Sequence, residues 1–210
     1  MAEIHITEQS TPTTPQAGKT KIYVDSADSH LKTIDDTATI IDITDTTTPA
    51  DNCRVGFLDY NDLATTTTAL VLTGGGEVAL TNDELGAQTL KTYKPTDVTD
   101  VWDEATGKFV FTDLKLGDMI DIRLDISVIT TAVNQEVDVE LELGQGGVSY
   151  RIPFAHSGFK AAGTYSVNVF NGIYMGDANT LNNGGQFIVS SADDATIVVN
   201  GWYCKILIRG

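Results

Sequence analysis

The chain has 210 residues, and its 13 Lys and Arg against 29 Asp and Glu give a formal net charge of −16 at pH 7. This charge disfavours nucleic acid and anionic membrane surfaces as partners, because both reward a basic face. No stretch approaches the ~20 apolar residues that cross a bilayer. The opening MAEIHITEQS lacks the basic and apolar regions of a signal peptide, so we expect synthesis in the cytoplasm.

Residues 1–18 are polar, and they begin with the alternating piece EIHI before Pro12 and Pro15 interrupt the pattern. The sequence AGKT at 17–20 has the end of a phosphate-binding loop, but Thr13 occupies the place of the first glycine. The residues that follow are β-branched and aromatic rather than helical. We therefore predict an extended arm over 1–18 and no nucleotide site.

Residues 19–48 read as a small β-hairpin unit. Ile22 and Val24 alternate with Tyr23 and Asp25, and the turn formers Asp28-Ser29-His30 separate this strand from the next. The segments DTTTPADN and ATTTTA follow, and both are rich in threonine. They predict a connector over 49–69.

Residues 70–210 show the period of two that an antiparallel sheet with one solvated face requires. In DMIDIRLDISVIT and QEVDVELELG, apolar residues alternate with charged ones. Further strands are predicted at 76–81, 98–103, 108–114, 148–155, 163–175, 186–191 and 195–208. One helical turn is predicted within 81–91, with Asn82 or Asp83 as its cap. The fold class is all-β: a C-terminal antiparallel jelly-roll sandwich, preceded by the extended arm and the small β-hairpin unit.

The last predicted strand, VNGWYCKILIRG, is apolar on both faces. Trp202, Cys204, Ile206 and Ile208 lie on one face, and Tyr203, Lys205 and Leu207 lie on the other. A strand of this kind is buried twice, once by its own sandwich and once by a neighbouring subunit. We therefore expect Tyr165, Tyr203 and Leu207 to contribute to an interface between subunits.

No constellation in the sequence points to catalysis. The three histidines His5, His30 and His156 lack metal-ligand spacing, and His156-Ser157 lacks the G-x-S-x-G elbow. Adjacent carboxylates such as Asp35-Asp36 point to opposite faces of a strand, unlike the facing pair of a glycosidase. We predict that the protein is not an enzyme.

Two segments, DSADSH and DANTLNNGG, are rich in the oxygen donors that Ca²⁺ prefers. Neither has the order of an EF-hand loop, so Asx-rich turns compete with Ca²⁺ binding as their explanation. We expect no cofactor, with Ca²⁺ as the alternative.

The stretch PQAGKTKIYVDSADSHLKTIDDTATIIDIT resembles a short module of phage virion proteins, found in tail fibres, head fibres and other appendages ahead of a C-terminal knob. The residues that carry the resemblance are Pro15, Gly18, Lys19, Ile22, Tyr23, Asp25, Asp28, Leu31, Lys32, Asp35 and Asp36. The resemblance implies attachment to the virion, to which we assign Ile4, Ile6, Ile22, Tyr23 and Leu31.

Residues of about 98–208 are similar to trimeric jelly rolls of the C1q/tumour-necrosis-factor type, including those at the ends of phage fibres. The likeness lies in the opening WDEATGKF, the LGD turn and the closing GWY. It implies a homotrimer without catalytic residues.

Together these features predict a structural protein of a tailed-phage virion, either a capsid decoration (cement) protein or a head fibre. Its partners would be further copies of itself and the major capsid protein or another virion protein. The alternative is a receptor-binding tip of a tail fibre that grips host glycan through 177–185. In that case Asp177, Asn179, Asn182 and Asn183 would form the ligand loop.

Overall fold

The computed structural model describes residues 8–43 and 54–209. The chain divides into two compact units, Met1–Asp51 and Asn52–Gly210, so the boundary falls inside the predicted connector. Among the described residues, strands account for 51% and helices for 5%, which confirms the all-β prediction. Within the described ranges, no helix is long and apolar enough to cross a membrane.

The N-terminal unit contains a four-stranded sheet in the order β1-β2-β3-β4. Its strands are β1 (Glu8–Gln9), β2 (Lys21–Asp25), β3 (Leu31–Ile34) and β4 (Ile40–Asp42). The predicted hairpin is β2-β3, and its turn is held by side chains, since Asp25 Oδ1 accepts from Ala27 N and Asp28 Oδ1 from His30 N. Strand β1 pairs in parallel with β2, so the predicted arm is part of the sheet at that point.

The second unit contains eleven strands and two short helices among its described residues. In chain order they are β5 (Arg54–Asn61), α1 (Ala64–Thr67), β6 (Leu70–Leu72), β7 (Glu77–Ala79), β8 (Trp102–Asp103), β9 (Lys108–Phe109), β10 (Met119–Thr130), β11 (Gln135–Leu143), β12 (Tyr150–Phe159), β13 (Gly163–Tyr174), α2 (Ala178–Asn183), β14 (Gly185–Ser191) and β15 (Ala195–Ile208).

These strands form two sheets that enclose one core. The first has the order β13-β10-β15-β5, with β6 also on β15, and the second has the order β12-β11-β14-β9-β8, with β7 also on β14. Strand β5 pairs with β15, β7 with β14, β10 with β13 and β11 with β12. The first of these strands therefore pairs with the last, and the successive inner strands pair in turn. This is the pattern of one long hairpin wrapped on itself, which is the jelly-roll arrangement.

The core lies where the predicted alternation placed it. Ile120, Ile122, Leu124, Ile126 and Val128 of β10 are fully buried, and their partners across the sandwich include Val137, Val139, Leu141 and Leu143 of β11. Trp202 of β15 packs between Trp102, at a ring-centroid distance of 4.4 Å, and Phe109, at 5.5 Å. Local period-two patterning therefore positions the interior, because successive side chains of a strand point to opposite faces.

The predicted connector over 49–69 is wrong for its described part. Arg54–Asn61 pairs with β15 along its whole length, and the threonine-rich segment after it forms α1. Thr65 is buried there, because its hydroxyl donates to Val199 O and accepts from Val199 N. Asp62 completes the turn by accepting from Thr65 N and Oγ1, each at 2.7 Å.

The helical turn predicted within 81–91 does not form. The side chains expected to cap it are used elsewhere: Asn82 Nδ2 donates to Tyr60 O, and Asp83 Oδ1 accepts from Leu63 N. Asn82 Oδ1 also accepts from Glu84 N, which closes an Asx turn. Tertiary contacts therefore outweigh the local capping pattern.

Candidate interaction surfaces

One face of the N-terminal sheet is apolar and exposed. Across the strands Ile22 lies opposite Thr33 and Thr33 opposite Ile41, while Val24 lies opposite Leu31 and Ile43 N donates to Leu31 O. We call Ile22, Val24, Leu31, Thr33, Ile41 and Ile43 the apolar face. Ile22 is 57% exposed, Ile41 59% and Ile43 53%. The three isoleucines therefore place apolar side chains in solvent on one side of the sheet.

The other face of the same sheet supplies its buried residues. Tyr23 is fully buried and Ile34 nearly so, and both alternate away from the apolar face. The placement of Tyr23 on an attachment surface is therefore corrected, because its side chain has no exposed area with which to contact a partner. Ile22 and Leu31 do lie on the apolar face. Ile4 and Ile6 lie outside the described residues.

Charged groups of the DSADSH turn are already paired. Lys32 Nζ lies 3.0 Å from Asp25 Oδ2 and also contacts Asp28 Oδ2. The Ala27 N–H, and then Lys32, lowers the pKa of Asp25; Lys32, and then the His30 N–H, lowers that of Asp28. Ligand atoms of Asp28, His30 and Asp42 lie within 4.8 Å of one another. The ammonium of Lys32 lies between the carboxylates of Asp25 and Asp28.

The outer face of the sheet β13-β10-β15-β5 carries apolar and aromatic side chains. Leu207 lies between Val55 and Met119, and Phe57 lies opposite Lys205. The Phe57 ring packs on Tyr93 at 5.1 Å and on Tyr203 at 6.0 Å. Tyr203 also carries the guanidinium of Arg123 over its ring at 5.5 Å. Tyr203 and Leu207, predicted for a subunit interface, therefore lie together on one half-exposed face.

Tyr165 does not join them. It lies opposite the buried Val128, so it points to the inside of the sandwich, where its ring packs on Phe159 at 4.6 Å. Its hydroxyl donates to Ala161 O at 2.8 Å. Tyr165 packs against the edge of the core, on the opposite side of the sheet from Tyr203 and Leu207.

The predicted ligand loop at 177–183 is the short helix α2 and its cap. Asp177 Oδ1 accepts from Thr180 N at 2.7 Å, whereas Asn179 Nδ2 donates to Val148 O and Asn179 Oδ1 accepts from Asn183 Nδ2. A Cβ at Gly147 would come 2.1 Å from Asn179 Oδ1, so the loop closes tightly over this amide. The side chains of Asn179 and Asn183 are therefore used in hydrogen bonds within the protein. Asp177 and Asn182 are exposed.

An acidic cleft of about 450 Å³ lies beside the buried Trp102. Its carboxylates are Glu84, Asp100, Asp103, Glu104 and Asp113. Lys91 Nζ contacts both Glu84 and Asp100, and burial raises the pKa of Glu84. Separate turns bring these acids together, so no spacing along the chain revealed them. The WDE piece of WDEATGKF was the one local signal.

His156 forms an exposed ion pair with Asp138 across β11 and β12, with 2.6 Å between Nδ1 and Oδ1. The carboxylate raises the pKa of His156 above its usual 6.5. Because the folded-state pKa is the higher one, the pair contributes stability below pH 6.5 and loses it as the pH rises through the folded-state pKa.

We expect an NMR titration of the full chain to place His156 above 6.5, and the Asp138→Asn variant to return it towards that value. Exposure to solvent keeps the effect on the free energy of unfolding small. Equal His156 titration in the two proteins would contradict this pairing.

Comparison with known proteins yields neither a matching family model nor a matching curated protein. Among solved structures, the chain is similar to one from the infectious bursal disease virus Gx strain, with 11% identity and a TM-score of 0.38 over 76% of this chain and 33% of that chain. The chain is also similar to a structure from the Gt strain, with 11% identity and a TM-score of 0.36 over 88% of this chain and 41% of that chain. The chain thus spans less than half the length of these viral chains.

Proposed function

We propose that this chain is a non-enzymatic structural protein of a tailed-phage virion, a capsid decoration or head-fibre protein held by its N-terminal unit. The apolar face carries the proposal. Three of its isoleucines are more than half exposed, although Tyr23 and Ile34 are the buried hydrophobic side chains of the described part of this unit. Because the sheet is small, covering its apolar face with a partner would stabilise it more than leaving that face in water.

The second unit supplies the projecting body under this proposal. Its buried residues form one cluster that includes side chains of both sheets, and this supports the assignment of the second unit as a separate body. The resemblance of 15–44 to phage attachment modules supports the same division of labour. The net charge of −16 favours protein partners over nucleic acid or a membrane surface.

We further infer a homotrimer joined through the outer face near Val55, Phe57, Tyr203 and Leu207. Val55 is 57% exposed and Phe57 36% exposed, and both lie beside β15. Apolar contact has to offset repulsion between copies that each carry −16. Obligate interfaces do so by burying more than ~2,000 Å² in total.

Phe57→Glu should break this assembly, because it removes an apolar ring from the contact and adds a negative charge to each of the copies, which already repel one another. Light scattering after size exclusion should show the mass of three chains for the wild type and of one chain for the variant. Val71→Glu is the matched control, since Val71 is exposed on β6, outside the Val55–Tyr203 cluster. A monomeric wild type, or a Phe57→Glu trimer, would count against the inferred interface.

Immunogold labelling of purified virions, with antibody raised against the full chain, tests the proposed function. Gold spread over the capsid supports decoration or a head fibre. Gold confined to the tail supports the tail-tip alternative and rejects a capsid role. Unlabelled particles reject the virion role as a whole.

A further inference from the structure

A cavity of about 220 Å³ opens where β12 begins and β13 ends. Leu143 and Ile173, both buried, form its apolar floor. Tyr150, Tyr174 and Asp177 line it as well, and they bring two phenol rings and a carboxylate to one opening. Tyr150 belongs to the start of β12, whereas Tyr174 and Asp177 lie three residues apart at the end of β13 and just after it, and the jelly-roll wrap brings these two segments together.

Both tyrosines are held in place and yet open to solvent. Tyr150 is 41% exposed, and its hydroxyl is 2.9 Å from Thr180 Oγ1 on α2. Tyr174 is 68% exposed, and its ring lies against Gly176, where a Cβ would come 2.6 Å from Cε2. Each ring is thus positioned by a neighbour while a large part of it remains free to contact a ligand.

Asp177 adds a polar group to this opening. Its Oδ1 caps α2 by accepting from Thr180 N, which fixes the carboxylate at the end of the helix. Its Oδ2 has no hydrogen-bond donor among the residues that the structure describes, and the side chain is exposed. This oxygen can accept a hydrogen bond from a ligand hydroxyl.

We propose that this cavity binds a single neutral pyranose ring of a glycan. The apolar C–H face of a pyranose matches an exposed tyrosine ring, and the hydroxyls at its edge match the carboxylate of Asp177. A volume of 220 Å³ equals about seven waters at ~30 Å³ each, which is room for one sugar ring and less than a drug-sized ligand needs. Asp177 and the net charge of −16 disfavour acidic sugars.

This site does not rest on the virion role, and it borders the inferred trimer contact, because Tyr174 lies opposite Met119, which in turn lies opposite Leu207. It replaces the predicted loop of asparagines with two tyrosines and one of the four predicted residues, Asp177. Failure of the attachment experiments would leave it standing, and failure of sugar binding would leave the attachment proposal standing.

Saturation-transfer NMR on the full chain tests the site, with methyl glycosides of glucose, galactose and N-acetylglucosamine as probes and glucuronic acid as their charged counterpart. We expect binding of at least one neutral probe. Tyr174→Ala should weaken it at least about tenfold, the loss of one stacked ring together with its buried area. Asp177→Asn should weaken it too, although asparagine still caps the helix.

Phe170→Ala is the matched control, because Phe170 is an exposed aromatic residue of the same strand outside the cavity. Its binding should equal that of the wild type. The proposal is overturned if no neutral probe binds, if glucuronic acid binds more tightly, or if Tyr174→Ala and Phe170→Ala bind alike.

Discussion

Replacing Ile22 and Ile41 with aspartate should remove the protein from virus particles while its second unit stays folded. Both side chains are exposed on the apolar face, so the substitutions cost the free protein little stability. In an attached protein the same positions would bury two carboxylates without partners, which costs several kcal/mol and lowers affinity by well over about a hundredfold. Quantitative immunoblotting of gradient-purified particles measures the incorporated amount.

The matched control is the pair Val71→Asp and Ile129→Asp, which places the same charges on exposed positions of the second unit. Those particles should contain the wild-type amount. Circular dichroism of each purified variant confirms that the β content is retained. Normal incorporation of the Ile22→Asp/Ile41→Asp protein would show that the apolar face is not the attachment surface.

Trp202→Ala should destabilise the second unit by about 3–5 kcal/mol, the usual cost of removing a large aromatic side chain from a close-packed core. Trp202 is fully buried at the centre of an aromatic cluster whose other members are Trp102, Phe109 and Phe187. Because these rings come from both sheets, the cavity would loosen the contact between them. Urea unfolding followed by circular dichroism measures the change in free energy.

Phe170→Ala is the control for this prediction too, and it should change the free energy of unfolding by no more than about 0.5 kcal/mol. Trp202→Phe should cost less than Trp202→Ala, because phenylalanine keeps most of the ring and removes a buried Nε1 that has no hydrogen-bond partner among the described residues. A Trp202→Ala protein that unfolds at the wild-type urea concentration would show that the two sheets do not depend on this cluster.

We expect substitutions in the two units to affect different measurements, because the two units bury their apolar side chains differently. The second unit has a core that includes residues of both sheets, whereas the described part of the N-terminal unit buries Tyr23 and Ile34 and exposes an apolar face. Core substitutions should therefore appear in unfolding experiments on the jelly roll. Substitutions on the apolar face should appear in particle incorporation.

The sequence alone determined the fold class and most strands of the second unit. From 120 to 128 in β10 and from 137 to 143 in β11, apolar residues alternate with polar ones, and that alternation is a local property of the chain. Alternation also predicted which residues of β15 share a face, and the four placed together, Trp202, Cys204, Ile206 and Ile208, are all buried. The hairpin β2-β3 was found because its turn is made by side chains of the turn itself.

Tertiary structure decided which of the singled-out side chains are free to act. Burial of Tyr23, the inward position of Tyr165 and the contacts of Asn179 depend on residues distant in sequence, which a local pattern does not encode. For the same reason the sequence predicted a connector where the structure has β5, since β5 is defined by its pairing with the distant β15. The sugar-sized cavity combines Tyr150, Tyr174 and Asp177, and only the wrap of the jelly roll brings them together, because it joins the start of one strand to the end of another.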